Sequence, residues 1–129
     1  MATRPTAGQR LGAAGEQAAA TWYEAAGYRV LARNWRCAAG EIDLVLAAPS
    51  AGGLVFCEVK TRSSAAFGTA AEAVTRTKQA RLRRLAAAWM AATSGGPRSG
   101  AGVRFDVACV TPTRPGIGQL EVDVVHGAF

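Results

Sequence analysis

Two stretches decide the fold: Gly40-Glu41-Ile42-Asp43-Leu44-Val45-Leu46 and Leu54-Val55-Phe56-Cys57-Glu58-Val59-Lys60-Thr61, joined through Pro49-Ser50-Ala51-Gly52-Gly53. Alternating polarity and β-branched or aromatic residues make each stretch a strand, and the Pro/Gly-rich joint is a turn that sets them side by side. Strict alternation puts Ile42, Leu44 and Leu46 on one face of the first strand and Glu41, Asp43 and Val45 on the other. In the second, Leu54, Phe56, Glu58 and Lys60 share a face, with Val55, Cys57 and Val59 opposite. Leu54 to Cys57 is apolar on both faces, so that strand is expected to be buried. A buried strand that ends in an acid and a lysine needs partners for both.

Working outward, Gly8 to Ala26 reads as a helix with Leu11, Ala18, Trp22 and Ala25 or Ala26 as its apolar face, stopped by Gly27. Tyr28 to Trp35 is extended. After the strand pair, Ser63 to Gly68 is a loop. Thr69 or Ala70 to about Ala92 is a long helix with the stripe Val74, Leu82, Leu85 and Trp89. Ser94 to Gly102 is a flexible linker, Val103 to Val110 alternates as a strand, Thr111 to Gly118 is a second loop, and Leu120 to Val125 is the last strand. The order helix, three strands, helix, two strands predicts an α/β or α+β sandwich with helices packed on a mixed sheet. Its 129 residues suit one domain, with residues 1–7 as an N-terminal tail.

The net charge of +6 and pI of about 10.0 point to a polyanionic partner, most commonly nucleic acid. Anionic lipid is a weaker reading, because the basic helix has few bulky apolar residues beyond those its core stripe uses. Cys37, Cys57 and Cys109 are odd in number and far apart, and His126 is the sole histidine. That pattern argues against a disulfide framework or zinc site and for reduced thiols in a cytoplasmic protein. No stretch reaches the about 18 apolar residues that a membrane span needs.

The chemistry concentrates where the two strands meet. Asp43 on one and Glu58 on the next can converge on one divalent cation, Mg²⁺ or Mn²⁺, which takes one or two carboxylates plus water and substrate phosphate. Lys60 shares the face of Glu58, and a compact ammonium there can stabilise developing charge. Lysine occurs only twice among 15 basic residues, so its use at 60 and 78 asks what arginine could not do there. The competing reading of Glu-x-Lys is an exposed ion-pair face. Lys78 falls within the apolar stripe of the second helix, which aims it at the sheet and a phosphate; a stem that snorkels to water is the alternative. Arg76, Arg81, Arg83 and Arg84 lie off that stripe as a solvated basic face that can track a nucleic-acid backbone. Glu16 flanks the first helix's apolar face as a further carboxylate, and Glu41 is a ligand or supports one. Trp22, Trp35, Trp89 and Tyr28 read as core before base-stacking surface. Asp106 reads as structural and His126 as incidental.

Several of these segments together resemble the YraN family of small bacterial proteins. They are Gly15-Glu16, Gly27-Tyr28, Arg33-Asn34, Gly40-Glu41-Ile42-Asp43-Leu44 and Phe56-Cys57-Glu58-Val59-Lys60-Thr61-Arg62, continued by Gly68, Ala71-Glu72-Ala73-Val74, Lys78 and Arg104-Phe105-Asp106-Val107. The resemblance implies a restriction-endonuclease-like three-layer sandwich of the PD-(D/E)XK superfamily, with about five strands and helices on both faces, similar to archaeal Holliday-junction resolvases. It implies catalytic Asp43, Glu58 and Lys60, and a metal set of Asp43, Glu58, Val59 and Glu16. Nucleic-acid contacts would fall to Lys78, Arg62, Arg76 and Arg81. Ile42 stands where the superfamily motif has proline. The expected function is hydrolysis of phosphodiesters in DNA, branched or damaged; cleavage of junctions would favour a homodimer. The alternative is a non-catalytic nucleic-acid-binding or adaptor protein on the same fold.

Overall fold

A computed structural model describes residues 3–63, 74–93, 102–113 and 119–129. Helix α1 (Ala7–Ala25) is followed by strands β1 (Arg29–Cys37) and β2 (Gly40–Ala47), a short 3₁₀ turn (Pro49–Ala51) and β3 (Leu54–Thr61). Helix α2 (Arg76–Thr93), β4 (Val103–Pro112) and β5 (Leu120–Val125) complete the chain. The strands form one sheet in the order β1-β2-β3-β4-β5. Neighbours are antiparallel except β3 and β4, which run parallel and are therefore joined by a crossover containing α2. One helix covers each face of the sheet, consistent with a three-layer α/β sandwich and with the expected mixed five-strand sheet. Among the described residues no helix is long and apolar enough to cross a membrane.

Each face has its own core. Phe56, Ile42 and Val45 of the sheet meet Leu82, Leu85 and Trp89 of α2. Leu44, Leu46, Val55 and Cys57 meet Ala19, Ala20 and Tyr23 of α1. The α1 contact differs from the expected stripe. Its buried residues are Gly15, Ala19, Ala20 and Tyr23, while Leu11, Ala18 and Trp22 are only half-buried and Ala25 and Ala26 are exposed. The reason is close approach: small residues let the helix backbone sit low on the sheet. At Gly15 an added Cβ would run into the Thr61 side chain, 2.8 Å from its Cγ2 and 2.9 Å from its Cβ.

The helix ends follow local chemistry. Thr6 caps α1 by accepting from Gln9 N–H while the Gln9 side chain returns the bond to Thr6 N–H. Gly27, at φ 92°, supplies the left-handed turn that stops it. Helix α2 begins at Arg76, later than expected, because the Thr75 hydroxyl accepts from Lys78 N–H and ends the non-helical approach. The rest of the expected early turns, at 69–73, lies outside the described residues, as do most of the expected loop at 63–68 and the linker at 94–102. Strand β4 runs two residues past Val110, since Thr111 and Pro112 still pair with Glu121 and Leu120.

Strict alternation fails in β2. Ile42 belongs with Val45 in the α2-side core, while Leu44 and Leu46 face α1, and Asp43 opens onto an α1-side cleft beside Leu44. The opposing residue in β1, Asn34, has a left-handed backbone with φ 49°.

Beneath Tyr23 lies a buried carboxylate. Asp106 has no solvent exposure and is saturated with donors: Tyr23 Oη at 2.7 Å, Arg104 Nε at 2.8 Å and Nη2 at 2.9 Å, His126 Nδ1 at 2.8 Å and Gly127 N–H at 3.1 Å. Burial alone would raise its pKa, but the bonds from Arg104, Tyr23, His126 and Gly127 outweigh that and hold it below the usual carboxylate range. A depressed acid contributes stability that is present above its unfolded pKa, near ~4, and is lost as pH falls through its lower folded value. Asp106→Asn is therefore expected to cost about 3–5 kcal/mol at pH 7, with a smaller difference from the parent at pH 2–3. Denaturant unfolding at both pH values measures this. Equal stability at pH 7 would remove the network from its supporting role.

Candidate active site at the splay of two strands

Strands β2 and β3 pair only from Leu44–Ala47 against Leu54–Cys57. Beyond Cys57 they part, and the Asp43 side chain occupies the parting: its Oδ2 accepts the Val59 N–H at 2.8 Å. Burial, the nearby Glu58 carboxylate and, more weakly, Glu16 and Glu41 raise the Asp43 pKa to about 7 against the opposing Val59 bond. Glu16 reaches this place because Gly15 lets α1 approach Thr61. It lines the cleft with Asp43, together with Ala13, Gln17, Arg33, Asn34 and Leu44.

Glu58 and Lys60 form an ion pair at 3.2 Å, with both side chains less than one-fifth exposed. Lys78, from the first turn of α2, lies close enough to Lys60 and Glu58 to feel the charge of both. The Lys60 ammonium beside it holds the Lys78 pKa below the usual lysine value. The only two lysines of the chain, 18 positions apart in sequence, thus lie in one neighbourhood with Glu58. Like charges brought together favour an anion between them, and a phosphate supplies one.

The structure gathers Asp43, Val59, Glu58, Lys60 and Lys78 at the splay, with Glu16 on its α1 side. Glu41 is close enough to raise the Asp43 pKa and pairs with Arg36 at 3.5 Å. Arg62, Arg76 and Arg81 are exposed around this end of the sheet: Arg62 just past β3, Arg76 at the start of α2, Arg81 against the Gly40 turn. Arg83 is exposed, as the solvated face requires, with its guanidinium over the rings of Phe105 (5.0 Å) and Phe129 (5.5 Å). Trp89 is core. Trp22, Tyr28 and His126 cluster around the Asp106 network, with Tyr28 and His126 stacked and Trp22 tilted against His126, so His126 is a structural partner. Sequence reasoning missed Gln17 and Asn34 as cleft residues. The one available signal was an asparagine inside a β-patterned run.

The donor set can be tested against the divalent cation that the family resemblance implies. All candidate donors are hard oxygens. Among the described residues no group of three or more His, Cys, Asp and Glu stands ready to cage a metal. Hard oxygen donors of this kind suit Mg²⁺ or Mn²⁺, which one or two carboxylates would hold with water and phosphate completing the shell.

Fold and cluster together define an α/β protein with two carboxylates and two lysines near one strand opening. The chain belongs to the uncharacterised protein family UPF0102, whose model matches residues 15–110. This is the YraN family that the motifs resemble. It is similar to the UPF0102 proteins of Frankia alni (51% identical, covering 92% of this chain and 93% of the relative) and Beutenbergia cavernae (54%, covering 86% and 90%). The UPF0102 protein of Symbiobacterium thermophilum is 47% identical, covering 94% and 97%.

Because folding raises the Asp43 pKa, its contribution to stability is greatest below its unfolded pKa of ~4 and is lost as pH rises through about 7. The metal-free protein is therefore expected to lose stability between pH 5 and pH 8 relative to Asp43→Asn, which lacks this titration. Denaturant unfolding of both proteins across that range measures it, and parallel pH profiles would contradict it.

Proposed function

We propose that this protein is a divalent-cation-dependent nuclease that hydrolyses phosphodiester bonds in DNA, with branched or damaged DNA as its substrate. One observation carries the reading: the Glu58–Lys60 ion pair lies near the Asp43 carboxylate at the strand opening, with Lys78, the chain's other lysine, close by on α2. Clustered carboxylates attract a cation, adjacent ammoniums attract an anion, and a cation-assisted reaction on a phosphate needs both at one place.

Asp43 and Glu58, with Val59 and Glu16 beside them, would hold the cation. A bound Mg²⁺ or Mn²⁺ supplies Lewis-acid polarisation of the phosphate and activation of water. Lys60, oriented by Glu58, holds negative charge on the attacked phosphate, and Lys78 binds the same group from α2. Arg62, Arg76 and Arg81 hold the flanking backbone by charge alone, which makes binding salt-sensitive.

The test is a cleavage panel of duplex, flap, junction and single-stranded DNA with Mg²⁺ or Mn²⁺. Asp43→Ala, Glu58→Ala and Lys60→Ala are each expected to lower the rate by about 10²-fold or more. Lys78→Ala should mainly weaken binding and flatten its salt dependence. Salt-sensitive binding without hydrolysis of any substrate by the parent would leave a nucleic-acid-binding or adaptor protein instead.

A further inference from the structure

The phase change in β2 has a matching one in β1, on the same rung. In β1, Ala32 and Trp35 pack on the α2 side, while the two residues between them, Arg33 and Asn34, both line the α1-side cleft. In β2, Val45 and Ile42 pack on the α2 side, while Leu44 and Asp43 both line that cleft. Arg33 pairs with Leu44 and Trp35 with Ile42, so Asn34 stands across from Asp43. No residue is inserted at this rung and the pairing resumes unchanged beyond it. A residue whose backbone leaves the β region produces a change of phase of this kind. Asn34 does so, with φ 49°, and Asp43 is not among the positive-φ residues. Asparagine tolerates this conformation better than most side chains, glycine adopts it freely, and β-branched residues resist it most.

We propose that Asn34 is a positioning residue whose left-handed backbone delivers the Asp43 carboxylate to the strand opening. Under strict alternation Asp43 would stand with Val45 on the α2 face. With the phase change, its Oδ2 meets the Val59 N–H, an amide beyond the last β2–β3 pair. The importance of Asn34 for a cation site rests on the proposed function, but the geometric claim does not. Asn34 acts through Asp43 and need not touch cation or substrate.

Amide hydrogen exchange at Val59, followed by NMR in EDTA without nucleic acid, reads the Asp43–Val59 bond directly. Asp43→Ala sets the value for its loss. Asn34→Val is expected to lower Val59 protection by about tenfold or more, on the scale of the left-handed penalty, while amides bonded between β3 and β4 keep theirs. Asn34→Gly should retain the parent's protection. Should Asn34→Val fail to fold, Asn34→Ala carries the same comparison. Parent-like Val59 protection in the valine or alanine variant overturns the proposal, as does a glycine variant that loses as much as valine. Failure to cleave DNA would count against the proposed function alone, because the exchange is read without cation or substrate.

Discussion

The buried Asp106 carboxylate is the constraint on which the rest depends. A charge without solvent survives only if its oxygens are filled, and here the donors come from α1, β4 and the turn after β5. Tyr23 ties the C-terminal half of α1 to the sheet, and Arg104 carries the connection on to Tyr28 at the start of β1. Removing one donor would leave the others around an under-bonded charge, so the network sets one seating for α1. With that end fixed, the Gly15–Thr61 contact fixes the other. Glu16 follows directly and is carried to the cleft that Asp43 lines.

The site uses a place where the sheet stops being regular. Where β2 and β3 pair, backbone groups satisfy one another. Past Cys57 the Val59 amide lacks a β2 backbone partner, and the side chain of Asp43 takes that position. A carboxylate bonded to a backbone N–H is aimed by the main chain, which is stiffer than any side-chain contact. The lysines arrive by different routes: Lys60 by the alternation of β3, Lys78 by the first turn of α2 after its Thr75 cap. Opposite charges are therefore presented by three elements whose relative positions the two cores fix.

Much of this was legible in the sequence, for a definite reason. Strand β3 was readable residue by residue because its apolar run and turn boundaries are unambiguous, and Glu58 and Lys60 inherit their common face from it. The meeting of Asp43 with β3 followed from the short joint at Pro49–Gly53. The face of Ile42 was not readable, since a phase change leaves no mark on hydrophobic pattern and only Asn34 hinted at it. The true buried stripe of α1 was obscured because glycine and alanine signal closeness weakly, while Trp22 signals burial strongly and is only half-buried. Thr75 as a cap was visible in principle, but the longer apolar periodicity through Val74 suggested an earlier start.

Gly15 also gives the site a dimension. The height of α1 above the sheet at this point is set by a hydrogen atom against Thr61, so the gap between Glu16 and Asp43 is gauged by a side chain that is not there. Any residue with a Cβ at this position would act as a spacer. It would lift Glu16 away while leaving Asp43, Glu58, Lys60 and Lys78 in place, and so separate the acid contributed by the helix from the groups contributed by the strands.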